Sequence, residues 1–283
     1  MRVRRISTAL AGTAAMVLAL TACGTAEVGG GEGGGEGGGE GGGDTITIGV
    51  KYDQPGLGMQ EGNAPVGFDV DVATYIAGEL GYTPEQIEWT EAASANRETF
   101  LQQGTVDMIV ATYSITDERK QVVDFGGPYY VAQQDILVSA DNEDIQGPED
   151  LAGKTLCSAS GSRSANNIVD DMGIDAQLRE AGNYSECIQL LTDGTVDAVT
   201  TDNTILAGFA SQQPDAFRLV NNPFGEERYG VGLPKGSTDR CEQVNQAITK
   251  MWDEGKAVEF LESNFGETGF EYEETQPEIE GCA

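Results

Sequence analysis

Apolar positions recur along this chain in two rhythms. Short apolar or alternating runs, flanked by Gly, Thr or Asp, predict strands over 45–50, 87–90, 106–111, 135–138, 154–159, 217–220 and 229–233. Stripes at helical spacing fall between them. Val72, Ile76 and Leu80 share one face of a helix predicted over 70–80, with Gly81 as its stop. Further helices are expected over about 96–103, 203–212, 238–252 and 257–265. The segment 51–65, rich in Gly and Pro, reads as a loop, and Phe68 as core. Strands alternating with helices define an α/β architecture with mostly parallel strands.

One stretch organises the rest. Residues 111–124 run Ala-Thr-Tyr-Ser-Ile-Thr-Asp-Glu-Arg-Lys-Gln-Val-Val-Asp, which reads as a strand end, a polar loop and the first turns of a helix. Thr116 is the expected N-cap, with Asp117 and Glu118 in the positive first turn. Arg119 is a cation in that same turn, where the helix dipole disfavours it. Holding an anion beside the free N–H groups would explain its position, although an ion pair with a surface carboxylate fits the same pattern.

A short echo supports a repeated design. Gly104-Thr105-Val106-Asp107 recurs as Gly194-Thr195-Val196-Asp197, and each copy precedes a strand ending in a polar loop that opens a helix. Two lobes of like construction would then present strand ends to a shared cleft, where open α/β sheets bind ligands. In the second half, Ser160-Gly161-Ser162-Arg163-Ser164 follows a strand with small residues that let backbone N–H groups approach an anion, and it is expected to open a helix. The strand over 229–233, paired with 135–138, would form a two-strand hinge.

Charge and composition narrow the partners. Lys and Arg total 16 against 47 Asp and Glu, a formal net charge of −31. Such a surface repels nucleic acid and anionic lipid headgroups. His is absent, which removes the usual neutral-pH proton shuttle and the commonest metal ligand. No metal or cofactor site is read in the chain.

The first 22 residues read as an export signal: Arg2, Arg4 and Arg5, then a short apolar run, then Leu20-Thr21-Ala22-Cys23, which looks like a lipobox that would leave Cys23 lipidated. A transmembrane helix is the weaker alternative, since the run is short and dilute in Ala, Thr and Gly. Residues 24–44 repeat Gly-Gly-Gly-Glu, a composition that cannot bury apolar surface and reads as a disordered tether. The expected location is the cell membrane, lipid-anchored on its extracytoplasmic face.

The run from Thr112 through Ser114 and Thr116 to Glu118-Arg119, followed by Phe125, Pro128, Tyr129 and Tyr130, resembles the extracellular solute-binding proteins of ABC importers for polar amino acids, as does Gly67-Phe68-Asp69. The resemblance covers nearly all of 46–266. It implies a two-lobed, type II periplasmic-binding-protein-like fold with two crossover strands as hinge. Residues 45–138 would form the first part of lobe 1, 139–228 lobe 2, and 229–283 the return to lobe 1. By the same resemblance, Arg119, Thr112, Ser114 and Ser162 would hold a ligand α-carboxylate and Asp202 its ammonium. As in the glutamate/aspartate binders of that family, Lys51, Ser94 and Arg97 would face the distal carboxylate. Some of those binders use a His in lobe 2, so another group, Arg163 or Ser164, is expected in its place.

The implied activity is capture of glutamate or aspartate by a monomeric receptor that delivers it to permease subunits. Glutamine is the nearest alternative ligand. A dehydratase or lyase on the same scaffold is the rival class, with Asp202 the obvious acid. If Cys23 carries lipid, Cys157, Cys187, Cys241 and Cys282 remain. Cys157 and Cys187 fall in one expected lobe, while Cys241 and Cys282 follow the return crossover, so two disulfides are expected, 157 with 187 and 241 with 282.

Overall fold

The computed structural model describes residues 45–282. The export signal, Cys23 and the Gly/Glu tether lie outside the described residues. The chain opens with β1 (Ile46–Val50). The segment read as a loop instead folds into an antiparallel meander of β2 (Asp53–Gln54), β3 (Gly58–Glu61) and β4 (Ala64–Val66). These strands are too short and too interrupted by Gly and Pro to show a period-2 pattern.

The first half continues through α1 (Phe68–Glu79), β5 (Ile87–Glu91), α2 (Arg97–Gln103) and β6 (Met108–Ile109), then α3 (Asp117–Lys120) and β7 (Val123–Ser139). In α1 the apolar face buries Phe68, Val72, Ala73, Ile76 and Ala77 completely. Each of the larger side chains contributes roughly 1.5–3 kcal/mol by leaving water. Two expectations change here. The strand over 106–111 pairs only at Met108–Ile109, because the chain turns away at Thr112, whose φ is 44°. The helix capped by Thr116 is one turn of four residues, and only two residues separate it from β7.

The second half comprises β8 (Thr155–Ala159), α4 (Ser164–Asn166), β9 (Gln177–Ala181), α5 (Tyr184–Thr192), β10 (Ala198–Asp202), α6 (Asn203–Gln212) and β11 (Phe217–Leu219). The helix expected after Ser164 is short, widening into a π turn over Asn167–Asp171. Then β12 (Phe224–Pro234) leads into α7 (Thr238–Asp253) and α8 (Lys256–Phe265).

The main sheet runs β5-β1-β6-β12-β7-β10-β8-β9, with β11 on the end of β7. Its parallel strands lie on either side of the antiparallel pair β7–β12, which gives the two-lobed fold. The pairing of that crossing pair differs from expectation. Tyr229 faces Tyr130 and Leu233 faces Asp124, while residues 134–137 of β7 pair with β10. β7 is 17 residues long and nearly all buried, so it serves both lobes with different segments. Because both faces of such a strand are covered, its sequence carries no alternation to reveal the register.

Two disulfides complete the frame. Cys157 on β8 joins Cys187 on α5, and Cys241 on α7 joins Cys282 in the C-terminal tail.

Candidate functional site

The carboxyl ends of the strands in both lobes point into one cavity of about 420 Å³. Ser94, Arg97, Thr112, Ser114 and Arg119 line it from lobe 1, and Ser162, Thr201 and Asp202 from lobe 2. Lys51 does not line it.

The lobe 1 wall is built on two guanidinium groups. Tyr113 is fully buried, with Arg97 4.3 Å and Arg119 5.1 Å from its ring centre. Its hydroxyl donates to Glu98 at 2.7 Å, and Glu98 pairs with Arg119 Nε at 3.3 Å. Both cations thus lie against one aromatic ring, and Glu98 compensates one of them. Arg97 donates to the carbonyls of Ala111 (3.1 Å) and Thr112 (3.2 Å), and Arg119 to that of Ser114 (2.8 Å). Burial, and then the charge of Arg119, lower the Arg97 pKa to about 10. The two groups therefore shape the loop whose residues they stand beside.

Thr112 is held in its left-handed conformation from behind. Its N–H donates at 2.8 Å to Asp69, a fully buried carboxylate that also accepts from Tyr129 at 2.7 Å. Burial raises the Asp69 pKa to about 7, against the pull of those two donors. A non-Gly residue at positive φ carries strain of about 1–3 kcal/mol, which these bonds offset.

Of the three residues expected at the side-chain end, Ser94 and Arg97 line the cavity and Lys51 does not. Lys51 directly follows β1 at 3% exposure, behind Ser94, and donates to Ser94 Oγ at 2.6 Å. Burial chiefly, and then the neighbouring Arg97, lower its pKa to about 7. Lys51 therefore reaches the cavity only through Ser94.

In lobe 2 the residues preceding and opening α4 meet β10. Tyr184 Oη and Ser162 Oγ are 2.6 Å apart, Ser162 and Ser164 3.3 Å, and Ser164 and Thr201 3.3 Å. Thr201 donates at 3.4 Å to Asp202, which accepts from Tyr229 at 2.6 Å. A line of hydroxyls thus leads to the buried carboxylate. Burial, and then the charge of Glu227, raise the Asp202 pKa to about 8, with the Tyr229 hydroxyl the first of the opposing influences. Asp202 also immediately precedes α6, without a side-chain cap bond.

Tyr184 and Thr201 are polar groups on this wall that the sequence reading left out. Nothing in a lone Tyr at the start of an amphipathic helix signals a cleft position. Arg163 also lines the cavity, and it pairs with Glu118 of lobe 1 at 3.1 Å and with Asp171 at 3.7 Å. Ser164 is buried in the hydroxyl line. Among the described residues no group of Cys, Asp and Glu is placed to hold a metal ion.

These features define a binding protein that encloses a small polar solute between two lobes. The chain belongs to the bacterial extracellular solute-binding proteins, family 3, whose model matches residues 46–267. It is 43% identical to the glutamate-binding protein GluB of Corynebacterium efficiens over 289 residues, covering 97% of this chain and 96% of that protein. It is also 35% identical to the ABC transporter glutamine-binding protein GlnH of Bacillus subtilis, over 75% of this chain and 78% of that protein. Among solved structures, an ancestral arginine-binding protein bound to glutamine matches with a TM-score of 0.72 and 33% identity, covering 78% of this chain and 98% of that one. The family is one of solute receptors, so the chain is a receptor and not an enzyme. Among the described residues no helix is long and apolar enough to cross a membrane.

Proposed function

We propose that this receptor captures glutamate, or aspartate, and delivers it to the permease of an ABC importer whose ATP is hydrolysed by another subunit. The observation that carries the reading is that two guanidinium groups face a buried carboxyl group across one cavity. Arg97 and Arg119 stand on the lobe 1 wall, and the buried carboxylate of Asp202 stands on the other. An acidic amino acid offers two carboxylates and one ammonium to that arrangement.

In this reading Arg119, with Thr112, Ser114 and the Ser162 segment, receives the α-carboxylate, and Asp202 the ammonium. Ser94 and Arg97 receive the distal carboxylate, with Lys51 acting through Ser94. Residues 45–138 with 229–283 form one lobe and 139–228 the other, and bending of β7 and β12 closes them. Lipid at Cys23 and the tether over 23–44 hold the monomer on the extracytoplasmic face. The names of relatives support the choice of ligand, since GluB is called a glutamate-binding protein.

Glutamine is a second reading, favoured by the withdrawal of Lys51 from the cavity and its pKa near 7. Calorimetric titration of purified protein, stripped of ligand by unfolding and refolding, against glutamate, aspartate, glutamine and asparagine tests both. Tight binding of an acidic amino acid, recovered unchanged, is the expected result. Preference for the amides overturns the ligand, and no binding by any of the four overturns the reading.

A further inference from the structure

The loop that carries Ser114 and Arg119 cannot hold its own shape. It contains one four-residue turn of helix, far below the length at which a helix is stable by itself, and it starts from the strained Thr112. Its bonds run outward. The N–H of Ile115 donates to the carbonyl of Arg228 at 2.8 Å, and Arg228 Nη2 returns a bond to the carbonyl of Ile115 at 3.3 Å. At the far end, Lys235 donates to the carbonyl of Lys120 at 2.7 Å.

One side chain grips both ends. Glu280 pairs through one oxygen with Lys120, at 2.5 Å, and through the other with Arg228, which also lines the cavity. In a chain where 47 acidic residues compete for 16 cations, two cations sharing one carboxylate is a specific arrangement. Its members are half-buried, with side chains 25–42% exposed.

The tail brings Glu280 there along a fixed path. The Glu273 N–H donates to Tyr130 Oη at 3.2 Å, and the Glu280 N–H to the carbonyl of Gly127 at 2.8 Å. Both partners lie on the crossing strand β7. Two residues later Cys282 is bonded to Cys241, which keeps the tail end seated against lobe 1.

We propose that Glu280 is a positioning residue for ligand binding: through Arg228 and Lys120 it fixes both ends of the loop 114–120, and the Cys241–Cys282 bond keeps it in place. This rests on the reading that the loop holds the α-carboxylate. A carboxylate at 280 acts in two opposing ways. Holding the loop favours every amino-acid ligand, while neutralising Arg228 and Lys120 disfavours an anionic one.

The test is amide hydrogen exchange on ligand-free protein, followed by titration with glutamate and glutamine. In Glu280→Ala, the Ile115, Lys120 and Val122 amides are expected to exchange about tenfold faster while amides of β8 and β10 stay unchanged. Affinity for both ligands is expected to fall by about five- to twentyfold. Cys241→Ala/Cys282→Ala should reproduce both effects, and Glu280→Asp should rescue them in part.

Unchanged loop exchange in Glu280→Ala overturns the proposal whether or not wild type binds a ligand. So does a gain in glutamate affinity alone, which would make charge neutralisation the role of Glu280. Failure of wild type to bind any amino acid overturns the ligand reading instead, and the exchange result still decides the positioning role.

Discussion

The carbonyl oxygen of Gly161, in lobe 2, accepts from Arg119 Nη2 at 3.2 Å, and Arg97 Nη2 reaches the same oxygen at 3.3 Å. The lobes therefore meet through a backbone group, and the meeting is close. A Cβ at 161 would lie 2.4 Å from the Ala95 nitrogen, and φ there is +76°. Gly161→Ala would face both a backbone clash that no rotamer relieves and left-handed strain of about 1–3 kcal/mol. Ligand affinity is expected to fall by about 10- to 100-fold. Small-angle scattering at saturating ligand should show a larger radius of gyration than wild type. Wild-type affinity in the variant would show that closure does not bring Gly161 onto Ala95.

Lys51 makes selectivity depend on pH. With its pKa lowered to about 7, it carries its charge below that value and loses it above. Glutamate should then gain over glutamine at pH 6 and lose that advantage by pH 8.5. Taking the ratio of the two affinities cancels groups that act on the shared α-carboxylate and ammonium. A change of about tenfold in the ratio corresponds to ~1.4 kcal/mol. Lys51→Met should flatten the profile at the high-pH value. Titrations at both pH values decide this, and a wild-type ratio that does not move would remove Lys51 from the selectivity mechanism.

Alternation of strands and helices was legible because most elements either repeat apolar residues at helical spacing, as α1 does at Val72 and Ile76, or end in a marked turn. β7 was not. Gly126, Gly127 and Pro128 interrupt its pattern, so only its last residues read as strand, and its pairing with β12 is a non-local choice that local pattern does not encode. Arg119 could be picked out as a cation in the first turn of a helix, whereas Arg97 and Asp202 came from the family resemblance; all three line the cavity. Tyr113, Tyr184 and Gly161 carry no such mark. Their places depend on which loops meet when the lobes pack. Glu280 sits in a tail rich in other acidic residues, where composition gives no sign that it is paired.

The disulfide between Cys157 and Cys187 joins β8 to α5 across a separation of 30 residues. In the loop-entropy description a link of that span stabilises by about 3.5 kcal/mol. Cys157→Ala/Cys187→Ala is expected to lose roughly that amount in denaturant unfolding followed by circular dichroism. Both cysteines are fully buried, so small cavities at the missing sulfurs add to the loss. An unchanged unfolding midpoint would mean that the unfolded chain is not loosened by removing the link.

Asp202 links ligand capture to a proton. Burial holds its pKa near 8, against an ordinary value near 3.8, so the carboxyl is protonated in the ligand-free protein at pH 6. Between those values the folded chain binds more protons than the unfolded one, and stability falls as pH rises through that window. A ligand ammonium beside Asp202 favours the ionised form, so binding must expel the proton wherever the free site holds one. Lys51, with its pKa near 7, is already mostly protonated at pH 6 and takes up little. Calorimetry at pH 6 in buffers of different ionisation enthalpy should therefore report release of close to one proton per ligand. At pH 9, above the Asp202 value, release should vanish for glutamine, whose neutral side chain draws no proton onto Lys51, and glutamine affinity should rise between the two because the proton no longer competes. No release at pH 6 would mean that the ammonium is received elsewhere, and Asp202→Asn, which mimics the protonated form, would then bind as wild type does.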